Sequence, residues 1–525
     1  MRDDRAGEGR DGADGRRRSG RRTAAGAGVR LSQLLPAATF FACDDIIATG
    51  CCGDAARCRP GDVFVARLTA DGDGHDDIAT AVARGAVGVV AERIVPTGGL
   101  PLCIVPESDW ALARITHALA GDAARRLHVI AITGTSGKTT TAWLTAAVLS
   151  EAGLRVGVLA DLGCLAADDT TPVPADLGRP EVLADWLRRL ETDGCTHVVL
   201  EVSSRMLASH CLAGLACDTV VVTNLGSAHL DIHGTTAAYH AVKSRILDVL
   251  AGDGVLVVTG DDRRLRRLAA RRRASGGAVI TAGLTAREDV TALPVERSLC
   301  GQTFLVRAGG HAIPVASAAP VPSFVRDSLL AVAVGLRFGV PLERIARGLE
   351  ACGTVSGRME RLDRGQDHAA FIDHPTSGHA LAATLAGLRR LTPGRLVVLA
   401  EAASVGPLVA DACGGDDDRR PAAGRAAAIF RRRTLRWADD CLVVPATVVD
   451  EGGGADDIVA YARIDRLLSS LGGQDCLLVL GDALRQGGGP PEPDGDPLPL
   501  AAVVDGWLQL AHGPRSLAPG RPEAA

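Results

Sequence analysis

A chain of 525 residues is long enough for about three domains, and its net charge of −5 argues against nucleic acid or an anionic membrane as its main partner. Aromatic residues are only 3% of a chain that is 47% apolar, so its cores must be built from Ala, Val and Leu. Fourteen scattered cysteines, with no C-x-x-C pair and no secretory signal, read as buried reduced thiols of a cytoplasmic protein; no apolar run reaches the roughly 18 residues of a membrane span.

Residues 1–28 are Gly- and Arg-rich without periodicity. The runs Arg16-Arg17-Arg18 and Arg21-Arg22 look like a twin-arginine signal, but no apolar stretch follows before Asp44-Asp45. The segment reads as a disordered tail, or as translation from a start codon placed too far upstream. From 29 to 122 the pattern is a small α/β domain. A turn and strand cover 60–66, a helix 77–84 ends at Gly85, a strand follows at 87–91, and a second strand and helix lie at 102–105 and 110–119.

The segment 123–355 is βα-rich, as expected of a doubly wound sheet. It opens with Ile130-Ala131-Ile132-Thr133-Gly134-Thr135-Ser136-Gly137-Lys138-Thr139-Thr140-Thr141, a β-branched strand, two glycines and the start of a helix over 142–149. Such a turn gathers backbone N–H groups and a helix N-terminus around one small volume, which suits a polyphosphate. Gly134 to Thr140 would form the cradle, Lys138 would reach the β/γ oxygens and the Thr139 hydroxyl would ligate Mg²⁺. The full G-x-x-x-x-G-K-[ST] spacing needs glycine where Ile132 stands, so this is a variant P-loop.

Apolar runs at 197–202, 219–223 and 254–258 are the next strands. The first two end in Glu201-Val202-Ser203-Ser204 and Thr223-Asn224, and polar residues at the carboxyl ends of parallel strands line the ligand crevice. Glu201 is the acid placed opposite the P-loop Mg²⁺. His229, Asp231 and His233 lie within five residues and can ligate a metal, although Mg²⁺ prefers oxygen. A helix over 237–250 carries Lys243, which with Lys138 makes up all the lysine among 57 Lys+Arg. Arginine cannot lose its proton and is too broad for a P-loop, so both lysines are site candidates. Beyond 356 comes another α/β series with strands at 370–372, 396–399, 441–444 and 476–480. Acidic, glycine-rich loops at 413–418 and 450–457 and a loose stretch at 487–499 interrupt it.

These motifs, in one collinear order over residues 44–486, resemble the Mur ligases, the ATP-dependent enzymes that build the peptidoglycan peptide stem. They are most similar to the branch that adds the third residue, diaminopimelate or lysine, to UDP-MurNAc-L-Ala-D-Glu. The likeness rests on Pro60-Gly61-Asp62-Val63-Phe64-Val65-Ala66, Asp73-Gly74-His75-Asp76, the P-loop, Thr170-Thr171-Pro172, Glu201-Val202-Ser203-Ser204, Thr223-Asn224-Leu225, His229 to Thr235, and Gly357-Arg358-Met359-Glu360-Arg361.

The resemblance implies an α/β, three-domain Mur ligase architecture. A UDP-substrate-binding-like domain would span 29–122, a central P-loop domain with a doubly wound sheet 123–355, and a Rossmann-like ligase domain 356–525. It implies ATP-dependent amide formation through an acyl phosphate, on a UDP-muramoyl-peptide-like carboxylate and an amino acid, by a cytoplasmic monomer. By resemblance, Lys138 and Thr139 hold phosphates and one Mg²⁺, and Glu201 and His229 a second. Lys243 falls at a carbamylated lysine; Asn224, Arg358 and Asp373 match nucleotide-site positions; and Thr170, Thr171 and Ser203 match contacts to the UDP-MurNAc peptide.

Departures from the family pattern are equally specific. Asp54-Ala55-Ala56 replaces Asp-Ser-Arg at the uridine end, and Arg205, Cys211, Ala228 and Asp327 replace a histidine, an arginine, an acid and an asparagine. Asp373-His374-Pro375-Thr376-Ser377-Gly378 replaces Asp-Tyr-Ala-His-Thr-Pro. Thr447-Val448-Val449-Asp450 aligns with the Asp-Asn-Pro-Arg loop that grips diaminopimelate, and Gly481-Asp482-Ala483-Leu484-Arg485 with Gly-Lys-Gly-His-Glu. Two alternatives follow from these changes. One is a ligase of the same fold with another carboxylate and amine, as in folate polyglutamylation or secondary metabolism; the other is a non-catalytic nucleotide-binding relative.

Overall fold

In the computed structural model, residues 28–512 are described apart from 70–71, 167–168, 173, 175, 229, 410–422, 445–454 and 482–499. The tail before residue 28, the loop at 413–418, the Thr447–Asp450 stretch, residues 482–485 and His229 therefore lie outside the described residues.

Three main sheets follow one another along the chain. The first has five strands, in the spatial order Thr39–Phe41, Leu102–Ile104, Gly88–Ala91, Asp62–Val65 and Gly50–Cys52. The helix Ser108–Leu119 packs against it, burying Ala111, Leu112 and Ile115.

The central sheet has eleven strands. Its parallel heart runs Val156–Ala160, His197–Glu201, His128–Thr133, Cys217–Val222, Leu250–Thr259, Val279–Gly283. Helices cover both faces of a parallel sheet, so its strands are continuous apolar runs; in His128–Thr133 only His128 is exposed. The strand that enters the P-loop is first in sequence yet lies in the middle, between His197–Glu201 and Cys217–Val222. The chain therefore switches direction there, which opens a crevice beyond the carboxyl ends of these strands.

The helix Lys138–Glu151 leaves the P-loop and is sandwiched between the sheet and the helices Pro322–Arg337 and Leu342–Cys352. The helix expected over 237–250 is shorter. Thr235 caps it through Ala238 N–H (3.1 Å), it runs Thr236–Ser244, and a 3₁₀ turn, Arg245–Val249, delivers the chain to the strand Leu250–Thr259.

The reading of this region as βα units omitted antiparallel strands at both edges. Gly163–Ala166 and Asp169–Thr171 extend one side, and Gly301–Ala308 and His311–Ser317 the other, joined through Val290–Ser298. In Gly301–Ala308 the inward residues are Gln302, Phe304 and Val306. A glutamine faces in, donating to the carbonyls of Ala319 (2.6 Å) and Val321 (3.0 Å), while Leu305 faces out. That inversion hides the two-residue period that betrays a half-buried strand.

The third sheet runs Glu360–Leu362, Ala369–Asp373, Cys476–Leu480, Leu396–Glu401, Asp440–Val444 and is parallel except for its first strand. It fits the Rossmann-like expectation, and its four parallel strands fall where the apolar runs placed them. Thirteen described cysteines are all free, nine of them buried and only Cys300 exposed. No described helix is long and apolar enough to cross a membrane.

Candidate active site

The P-loop keeps its shape because two glycines admit what no other residue can. Gly134 has φ +150° and a Cβ there would lie 1.9 Å from Thr223 Oγ1; Gly137 has φ +78° and a Cβ would lie 2.3 Å from Asp327 Oδ1. The neighbouring strand end then pins the loop. Thr223 Oγ1 donates to the Ser136 carbonyl (2.6 Å), Asn224 Nδ2 donates to the same carbonyl (3.0 Å), and Asn224 Oδ1 accepts from Ser136 N–H (3.1 Å). Thr135 N–H donates to the Asn224 carbonyl (3.1 Å), and the Tyr239 hydroxyl to Thr135 Oγ1 (3.2 Å). Asn224 thus works on the loop itself, although it also lines the adjoining cleft.

Behind the loop lies a buried set of charged groups. Lys138 Nζ is 3.6 Å from Glu201 Oε1, and Glu201 Oε2 accepts from Asp161 N–H (3.1 Å). Burial pushes the Glu201 carboxyl up, against the pull of Lys138. Its Oε1 has no hydrogen-bond partner among the described residues, and an unsatisfied buried acceptor is costly unless something arrives to use it. Lys243 is 2% exposed and donates from Nζ to Thr133 Oγ1 (3.0 Å), whose hydroxyl donates onward to the Val202 carbonyl (2.8 Å). Burial first, and the positive charge of Lys138 second, hold the Lys243 ammonium well below its ordinary range. Both causes favour the neutral amine over the ammonium.

Two clefts meet at this set. The smaller, about 640 Å³, lies between the P-loop, the helix Pro322–Arg337 and residues 373–384. The larger, about 1000 Å³, has Gly134, Asp161, Glu201 and Lys243 on one wall and Arg57, Arg59 and Arg67 of the first sheet's region on another. Lys138 and Thr376 line both. An anion in one cleft and a second molecule in the other would therefore touch across the Lys138 ammonium.

The third sheet contributes directly. Arg358 donates to Thr139 Oγ1 (3.4 Å) and to the His374 carbonyl, and Thr376 Oγ1 reaches the Thr135 carbonyl (3.5 Å). Asp373 accepts from Met359 N–H (3.3 Å) and Thr384 Oγ1 (3.1 Å), and burial pushes its carboxyl up against the pull of Arg358. Ser203 lines the larger cleft and caps the helix Ser204–Ala208 by accepting from Met206 N–H (3.1 Å). Thr170 and Thr171 sit on the edge strand Asp169–Thr171, outside the walls of both clefts, where Thr171 Oγ1 faces the Cys164 carbonyl (3.4 Å). Thr140 is buried at the first turn of the P-loop helix and lines the smaller cleft.

Reasoning from sequence passed over Thr133, Asp161, Tyr239 and Thr376. Asp161 was within reach of it, because it follows the apolar strand Val156–Ala160 as Glu201 closes its own.

Residues 132–335 match the Mur ligase middle domain. The UDP-N-acetylmuramoyl-L-alanyl-D-glutamate–2,6-diaminopimelate ligase of Solibacter usitatus is 35% identical over 380 residues, 70% of this chain and 72% of that protein. The chain belongs to the Mur ligase family. A second relative, the UDP-N-acetylmuramyl-tripeptide synthetase of Deinococcus radiodurans, is 34% identical over 383 residues, 71% of this chain and 77% of that one. Among solved structures, a UDP-N-acetylmuramoyl-L-alanyl-D-glutamate–2,6-diaminopimelate ligase superposes with a TM-score of 0.63 at 21% identity, covering 86% of this chain and 93% of that one. The apo form of L. casei FPGS superposes at 0.53 and 15% identity, covering 74% and 93%. Both likenesses concern the fold.

In this Mur ligase Asp327 stands against the P-loop, and burial holds its carboxyl well above the usual range. Its neighbour Arg326 is turned to Asp261 (2.7 Å). A carboxyl whose folded value is raised lends stability that is complete below the unfolded value, about 3.9, and lost as pH rises through the folded one. Urea unfolding at a series of pH values should show stability falling by up to ~1.4 kcal/mol per pH unit across that window. Asp327→Asn should flatten this slope and be the more stable protein at mildly alkaline pH. Parallel profiles for the two proteins would contradict it.

Proposed function

We propose that this Mur ligase joins an amino acid to the carboxylate of UDP-MurNAc-L-Ala-D-Glu or a near relative of it, using ATP. The observation that carries the reading is the meeting of two clefts at Lys138, with the buried Glu201 and Lys243 on the wall of the larger. ATP would lie with its phosphates on Gly134 to Thr140 and its remainder in the smaller cleft near Asn224, Arg358 and Asp373. The muramoyl peptide would enter the larger cleft past Ser203, with Thr170 and Thr171 assigned to it by family likeness alone. Its carboxylate attacks the γ-phosphate, ADP leaves, and the incoming amine displaces phosphate from the acyl phosphate to give the amide. The protein's part is positioning and charge neutralisation, with Lys138 countering charge at the point where the two substrates touch.

Mg²⁺, when bound, neutralises phosphate charge and orients the phosphoryl oxygens. The donor set fits it: Thr139 supplies a hydroxyl and Glu201 a buried carboxylate oxygen that faces the Lys138 ammonium and has no hydrogen-bond partner among the described residues. We assign two sites, with Thr139 at one and Glu201 and His229 at the other. Lys243 would serve as a carbamate, which only an amine can form. We place the reaction in the cytoplasm and take the enzyme to act as a monomer.

The test is ATP consumption against a panel of UDP-muramoyl peptides and amino acids. Phosphate release should require both a carboxylate and an amine; release indifferent to both would refute the ligase reading. Within the panel, diaminopimelate should be a poor substrate, because Thr447 to Asp450 lack the arginine that fixes a zwitterion by paired hydrogen bonds. Efficient, saturable formation of the diaminopimelate tripeptide would overturn that part alone.

A further inference from the structure

The first sheet carries a group of ligands that the ligase reaction does not use. Cys52 closes the strand Gly50–Cys52, Cys58 follows the 3₁₀ turn Ala55–Arg57, and Asp62 opens the strand Asp62–Val65. The two strands are parallel with Gly50 opposite Asp62, so the side chains of Cys52 and Asp62 leave the same face of the sheet. Gly50 leaves the space between them open: a Cβ there would lie 2.1 Å from Asp62 Oδ1. The turn brings Cys58 back to the pair, and the ligand atoms of all three lie within 4.8 Å of one another.

The framework is held from outside the cluster. Cys58 N–H donates to the Ala55 carbonyl (3.3 Å), Arg84 Nε to the Cys58 carbonyl (3.1 Å), and Arg59 N–H to Asp62 Oδ2 (2.8 Å). Asp62 therefore has one oxygen engaged and the other to offer. Cys58 is 1% exposed, while Cys52 and Asp62 line the larger cleft.

We infer that Cys52, Cys58 and Asp62 form a binding site for one thiophilic divalent cation of the Zn²⁺ class, with its fourth position open to the larger cleft. Two sulfurs and one carboxylate select such an ion over Mg²⁺ or Ca²⁺, which take oxygen donors. Ligands at about 2.0–2.3 Å from a tetrahedral ion lie roughly 3.3–3.8 Å apart, so side-chain rotations of ~1 Å close the set. Each thiol releases its proton to solvent as its sulfur–metal bond forms, and nothing is oxidised or reduced. The ion would clasp the strand end, the 3₁₀ turn and the next strand together on the cleft wall.

Titration of the reduced full-length protein with Co²⁺ reads the site through the thiolate-to-metal charge-transfer band. We expect the band to saturate with one equivalent of thiolate-bound Co²⁺, and Zn²⁺ to abolish it. Cys52→Ser and Cys58→Ser should each abolish the band, Asp62→Asn should weaken binding at least tenfold, and Cys300→Ser, at an exposed cysteine, should leave it intact. Should a cysteine variant fail to fold, X-ray absorption of the Zn²⁺-loaded wild-type protein decides, and two sulfur neighbours per zinc are expected. A shell of nitrogen and oxygen alone, a band that survives both cysteine substitutions, or no charge-transfer band on adding Co²⁺ to the reduced protein would each overturn the site. None of these readouts depends on ligase turnover.

Discussion

Lys138→Ala should weaken Mg·ATP binding at least tenfold, about 1.4 kcal/mol, and abolish amide formation. The loop itself should survive the change. Its shape is set by Gly134 and Gly137 and by the bonds from Thr223 and Asn224 to Ser136, none of which involves the lysine side chain. What is removed is the ammonium 3.6 Å from Glu201 that lines both clefts. Without it the buried Glu201 carboxyl loses the charge that opposes its protonation, so the variant should be poor in metal binding as well as in phosphate binding. Calorimetric titration with Mg·ATP is the measurement, with unchanged circular dichroism as the check on folding. Equal affinity in the two proteins would remove the P-loop from the nucleotide site and with it the centre of the functional reading.

Lys243→Ala should be inactive and partly rescued by a short carboxylic acid. Burial favours the neutral form of the Lys243 amine. An ammonium buried beside Lys138 would put a second positive charge where the metal needs an anion. An uncharged amine can instead attack CO₂, forming an N–C bond and releasing one proton, so that a carbamate carries −1 at the same place. Burial favours that reactive form, being the largest cause that lowers Lys243 from its ordinary range. Activity should then depend on bicarbonate and fall at acidic pH, where the amine is protonated and the carbamate decomposes. The hydroxyl of Thr133 keeps its bond to the Val202 carbonyl when Lys243 is shortened, so loss of activity would not come from an orphaned partner. A fully active Lys243→Ala enzyme would end the carbamate argument and leave the P-loop assignment standing.

Local chemistry was the part written plainly in the chain. The P-loop was legible because a strand, two glycines and a helix start are consecutive in sequence and their conformations need no distant partner. The parallel strands of the second and third sheets were legible for a related reason: buried on both faces, they are apolar throughout. Glu201 showed itself as a polar residue at the end of such a run, and the two lysines by scarcity among 57 basic residues. The edge strand Gly301–Ala308 was not legible, because Gln302 faces inward, satisfied by the carbonyls of Ala319 and Val321, while Leu305 lies on the opposite face.

By itself, then, the sequence determined the central α/β sheet, the variant P-loop and the candidates Lys138, Glu201 and Lys243. Only the tertiary structure decided that these three share one pocket. Lys243 meets Thr133 across 110 residues of chain, and Arg358 meets Thr139 across 219. Periodicity reports which face of an element is buried, whereas the order in which strands cross decides what that face is buried against. The same crossing order put the P-loop strand between His197–Glu201 and Cys217–Val222. Asn224 was thereby brought onto the loop as its brace and Lys243 into the buried space beneath it, where burial disfavours the charge of an ammonium.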